Sequence, residues 1–151
     1  MQIKAKKSLG QNFLIDHNVL DQIANIVDIK GKEILEIGPG SGNLTNYILK
    51  KNPKKFYAIE KDNDLALLLK EKFGNEIIII NDDILKISED KISNEKLTVF
   101  GNLPYNISTP FLFHLCQYTQ LINECYFMLQ KEIVDRITAT PHHRTYGRLS
   151  V

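Results

Sequence analysis

Five short apolar runs recur along this chain: EILEI (33–37), FYAIE (56–60), IIII (77–80), LTVF (97–100) and CYFML (125–129). Stretches with helical periodicity separate them, near 43–51, over LALLLKEKF, between about 110 and 118, and from about Lys131 onward. Ahead of the first run, Val19, Leu20, Ile23, Ile26 and Val27 recur at helical spacing and predict an amphipathic helix over 17–28. Strands that alternate with helices need crossover connections, and those build a parallel sheet. The runs are continuously apolar, which suits a sheet covered by helices on both faces. The expected fold is therefore α/β and Rossmann-like, with 1–151 forming one domain. Sheets of this kind bind ligands beyond the C-terminal ends of their strands, so function is to be sought in the residues after each run.

Composition narrows the classes without choosing among them. At 43% hydrophobic and 25% charged the chain matches an ordinary globular protein. Its net charge of +1 gives no bulk argument for a nucleic-acid or acidic partner. Basic residues do cluster locally, at Lys4, Lys6 and Lys7 and again at His142, His143, Arg144 and Arg148. Cys116 and Cys125 form no CxxC pair and sit in apolar segments, so they are expected to be buried free thiols in a reducing compartment. The opening MQIKAKKSLGQNF lacks the continuous apolar stretch of a signal peptide, and no later run is long enough to span a membrane. A cytoplasmic monomer with no membrane and no metal is expected.

The first run leads into Glu36-Ile-Gly-Pro-Gly-Ser-Gly42, with glycines at 38, 40 and 42. Glycine lets backbone approach a ligand closely. A dinucleotide loop, GxGxxG/A, would need Gly or Ala where this chain has Asn43, and the GK[ST] of a phosphate-gripping loop is missing. GxGxG behind the acidic Glu36 suits a ligand carrying an ammonium group. Glu60 closes the second run, where a carboxylate can accept hydrogen bonds from ribose hydroxyls, although 60–64 is polar throughout and a plain surface glutamate is the alternative. After the third run comes Asn81-Asp82-Asp83, offering a carboxylate to an adenine amino group. These three tips describe an adenosine with an amino-acid-like end, which is the shape of S-adenosylmethionine.

The fourth run leads into FGNLPYNISTP (100–110). Asn and Pro are turn formers, and a turn alone is one reading. The other is chemical. An adenine amino nitrogen is a poor nucleophile because its lone pair is delocalised into the ring. The Asn102 side-chain oxygen and the Leu103 carbonyl can each accept one amino proton, which frees that lone pair, and Tyr105 can stack on the base. This is catalysis by positioning, with no general base before transfer.

With these motifs in hand, the chain resembles the ribosomal RNA adenine N6-dimethyltransferases, the KsgA/Erm family. The resemblance runs from SLGQNFL (8–14) through EIGPGSGNLT (36–45), FGNLPYNISTP and FMLQKE (127–132) to YGRLSV (146–151). FMLQKE and YGRLSV look like the housekeeping small-subunit branch. The resemblance implies a class I S-adenosylmethionine-dependent methyltransferase fold that stops before its last strands and C-terminal helical domain. It implies cofactor contacts at Asn12, Leu14, Gly38, Glu60, Asp83 and Asn102, with Asp83 matching better than Asp82 because Ile84-Leu85 follows it. It also implies N6-dimethylation of two adjacent adenosines in the 3′-terminal hairpin loop of small-subunit ribosomal RNA, with the pre-30S subunit as partner. Alternatives are a fragment that holds cofactor or docks without turnover, and an adenine methyltransferase acting on large-subunit RNA or DNA.

Overall fold

In the computed structural model, residues 13–88 and 91–151 are described. Five parallel strands, β1 (Glu33–Ile37), β2 (Lys55–Ile59), β3 (Ile78–Ile80), β4 (Leu97–Asn102) and β5 (Ile122–Met128), lie in the order β3-β2-β1-β4-β5. The helices are α1 (His17–Ala24), α2 (Asn43–Leu49), α3 (Asn63–Phe73), α4 (Tyr105–Leu115) and α5 (Lys131–Ile137). The order runs outward from β1 in both directions, so the chain reverses its winding between β1 and β4. That switch is where an open α/β sheet forms its ligand crevice.

Pleating sends alternate residues to opposite faces and makes two cores. Ile34, Phe56, Ala58 and Phe100 point to one face, against Leu20, Leu44, Ile48, Leu69 and Phe73 from α1, α2 and α3. Leu35, Ile37, Tyr57, Ile59 and Val99 point to the other, against Phe111 and Leu115 of α4. Both faces are covered, which is why the central strands are buried and mostly apolar, with Glu33 and Glu36 of β1 and Thr98 of β4 buried among them.

Three expectations are corrected. The first helix ends at Ala24, four residues short of the periodicity, because Asn25 caps it with backbone and side-chain N–H groups both turned to the Asp21 carbonyl. The helix expected from about 110 begins at Tyr105, and Pro110 lies inside it. Its N-cap is Pro104, whose carbonyl accepts the N–H groups of Ile107 and Ser108 at 3.2 Å and the Ser108 hydroxyl at 2.9 Å. Cys116 and Cys125 are exposed rather than buried. Cys125 lies on β5, an edge strand of this sheet, and Cys116 in the turn that follows α4.

Candidate active site

The loop after β1 is built from glycine geometry. Gly38, Gly40 and Gly42 all have positive φ, at 62°, 60° and 75°. Gly42 is the most constrained, since a Cβ there would stand 2.5 Å from the Phe73 ring and 2.9 Å from Leu69. It is therefore where α2 starts in close contact with α3. The loop is also tied to the next strand: the Gly38 N–H donates to the Ile59 carbonyl at 2.9 Å, and the Gly40 N–H to Glu60 Oε2 at 3.1 Å.

Two carboxylates are buried beside this loop. Glu36 shares the pleat face of Ile34, so its side chain points toward α2, where the Thr45 hydroxyl donates to Oε2 at 2.6 Å. Burial pushes its carboxyl up to about 7; the Thr45 hydrogen bond opposes the shift and the Glu60 charge adds to it. Glu60 leaves β2 with Oε1 accepting the Asp62 N–H at 2.9 Å and Oε2 accepting that of Gly40. Burial also holds its carboxyl above the ordinary range, against those two backbone donors. Among the described residues neither carboxylate has an ion-pair partner.

Beyond β3, Asp83 caps a 3-10 turn at Ile84–Lys86. Its Oδ1 accepts the Leu85 N–H at 3.1 Å, and its Oδ2 meets Lys61 Nζ at 2.9 Å. Burial pushes the Asp83 carboxyl up, but the Lys61 and Leu85 hydrogen bonds with the Lys61 and Lys86 charges outweigh it and hold it below the usual value. Asn102 ends β4 opposite Met128 of β5, and the next residue, Leu103, donates its N–H to the Met128 carbonyl at 3.2 Å. The strand-to-helix turn is thereby fixed from the neighbouring strand.

Leu14, Gly38, Glu60, Asp83 and Asn102, five residues singled out from sequence, line one cavity beyond the C-terminal strand ends. Asn12 lies outside the described residues. Leu103 is placed differently from a cavity residue: its side chain is buried in the α4-side core, so only its backbone is available to a ligand. Tyr105 opens α4, between the cavity residues Pro104 and Asn106, and is 61% exposed. Sequence reasoning missed Phe13, whose ring lies 3.0 Å from where a Gly40 Cβ would stand. It also read Asn43 only as an obstacle to another loop register, whereas its side chain donates to the Leu14 carbonyl at 2.9 Å and ties the N-terminal segment to α2. Neither contact leaves a trace in local spacing.

The switch in strand order, the glycine loop and the acidic strand tips define a Rossmann-like α/β domain with one cavity at its strand exits. Its fold resembles that of a dimethyladenosine transferase from Plasmodium falciparum, with TM-score 0.81 and 30% identity over 93% of this chain and 51% of that one. The 23S rRNA methyltransferase ErmE also matches, with TM-score 0.74 and 28% identity over 84% of this chain and 51% of that one. The sequence model described as "Ribosomal RNA adenine dimethylase" matches residues 2–151, and the chain belongs to that family. It is 61% identical to the ribosomal RNA small subunit methyltransferase A of Pelagibacter ubique, covering all of this chain and 59% of the relative. Identity to the protein of the same name from Pectobacterium atrosepticum is 46%, over 97% of this chain and 56% of that one. The chain thus spans somewhat more than half the length of the curated relatives it matches.

Proposed function

We propose that these 151 residues form the S-adenosylmethionine-binding domain of an enzyme that dimethylates N6 of two adjacent adenosines in the 3′-terminal hairpin loop of small-subunit ribosomal RNA. Its partner is the pre-30S subunit, met in the cytoplasm. The observation that carries the reading is the convergence of Gly38, Glu36, Glu60, Asp83 and Asn102 on one cavity. The donor set fits the cofactor. Two buried carboxylates lacking ion-pair partners among the described residues suit an ammonium at Glu36 and ribose hydroxyls at Glu60. Asp83 accepts from an adenine amino group, and the apolar side chains of Ile84 and Ile107 line the same cavity.

When bound, the cofactor supplies a methyl group on a sulfonium, already a good leaving group. The chain's own task is to present the target nitrogen. The Asn102 side-chain oxygen and the Leu103 carbonyl accept its protons, and the hydrogen bond from Leu103 N–H to Met128 keeps the turn in register. Tyr105, exposed at the start of α4, offers a face on which an unstacked base can rest. Hairpin-loop bases are cheap to unstack, which suits base-directed chemistry.

The test is methyl transfer to small ribosomal subunits that lack the modification, read as dimethyladenosine by mass spectrometry. Asn102→Ala should lower the single-turnover rate by about 10²–10³, like loss of one preorganised polar contact. Tyr105→Ala should weaken productive RNA engagement by about 1–3 kcal/mol while Tyr105→Phe keeps most activity. Near-native rates per folded molecule in both alanine variants would reduce the motif to a turn. A second reading is a cofactor-holding unit without turnover, in which the cavity lined by Gly38, Glu60 and Asp83 serves binding alone. It predicts cofactor binding with no methyl transfer by the 151-residue chain.

A further inference from the structure

We infer that Lys61 is a positioning residue for the adenine end of the cavity, holding the Asp83 carboxylate from the neighbouring strand exit so that it reads an amino group on the bound base. The inference rests on the cofactor reading above. Lys61 comes two residues after β2 ends and Asp83 three after β3 ends, and both line the cavity. Their ion pair, 2.9 Å from Nζ to Oδ2, bridges two adjacent strand exits. The other oxygen of Asp83 accepts the Leu85 N–H. Each carboxylate oxygen thus has one protein donor and keeps lone-pair capacity for another. The Asp83 side chain is 16% exposed and that of Lys61 58%, so the ammonium stays in water while its partner is drawn toward the cavity.

A carboxylate fixed in this way is an acceptor only. A base with an amino group at C6 gives it a hydrogen bond, whereas an oxo group there meets it lone pair to lone pair. Asp82 has no matching anchor among the described contacts; its Oδ1 accepts the Asp83 N–H at 2.7 Å.

The test is calorimetric titration of the 151-residue chain and its Lys61→Met and Lys61→Arg variants. The ligands are S-adenosylhomocysteine and S-inosylhomocysteine, which carries oxo in place of amino at C6. The chain itself should favour the adenosyl ligand by about tenfold or more, as a hydrogen bond to a charged group requires. Lys61→Met keeps the aliphatic stem and should cost about three- to fivefold in adenosyl affinity, the range of a partly exposed ion pair. It should also narrow the discrimination, and Lys61→Arg should restore both. Unchanged affinity and discrimination in Lys61→Met would overturn the role of Lys61 and leave the cofactor reading intact. Equal binding of the two ligands by the unsubstituted chain would overturn Asp83 as the reader of the base. Binding of neither would overturn the cofactor reading and this inference together.

Discussion

Glu36 and Glu60 lie side by side under the glycine loop, and burial raises both carboxyls. For Glu36 the consequence is a pH dependence with a definite sign. Its ordinary value of 4.5 rises to about 7 in the folded chain, so the folded state binds the proton more tightly. The associated stability is fully present at acid pH and is lost as pH rises from the ordinary glutamate range through about 7. Ligand binding runs the other way, because only the ionised carboxylate attracts an ammonium. Affinity for S-adenosylhomocysteine should therefore climb as pH rises through about 7, and Glu36→Gln should remove that climb. Calorimetry across pH checks it, and a flat profile in the unsubstituted chain would separate Glu36 from the ligand. Glu36 was legible in sequence as an acid behind a glycine loop. Its burial was not, because that follows from the pleat sharing a face with Ile34 and from Thr45 on a different element.

At the scale of elements, the Gly42 turn locks α2 against α3. Alanine there needs a left-handed backbone at φ 75° and places its Cβ 2.5 Å from the Phe73 ring. Gly42→Ala should destabilise the fold by about 1–3 kcal/mol, the cost of a strained φ with overpacking. Thermal denaturation measures it, and an unchanged midpoint would show that Phe73 yields freely. The five strands were legible because the central ones are covered on both faces and read as apolar runs. The start of α4 was not. The expected start near 110 falls on Pro110, inside the helix, while the N-cap is Pro104, whose carbonyl collects two N–H groups and a hydroxyl. That shift places Tyr105 in the first turn of a helix, directly beside Asn106 on the cavity wall. Cys125 was misplaced for a related reason: its apolar segment lies on an edge strand with a neighbour on one side only, while Cys116 sits in the turn after α4.

Across the whole molecule, one sheet with a reversal between β1 and β4 brings four strand tips to a common cavity. The residues there came from loops up to about ninety positions apart, yet most could be named beforehand, because each follows a recognisable strand. What holds them in place could not be named: Asn43 on Leu14, Gly40 on Glu60 and Lys61 on Asp83 are tertiary contacts without a sequence period. On the proposed reading, this cavity takes an adenosine with an amino-acid end and rejects a dinucleotide. Titration of the chain with S-adenosylhomocysteine and with NAD tests it most directly, alongside Glu60→Ala. Only the first ligand should bind, its affinity weakened by about 1–3 kcal/mol in the variant as partners of a charged acceptor lose it. Tight binding of NAD with no response to S-adenosylhomocysteine would contradict it.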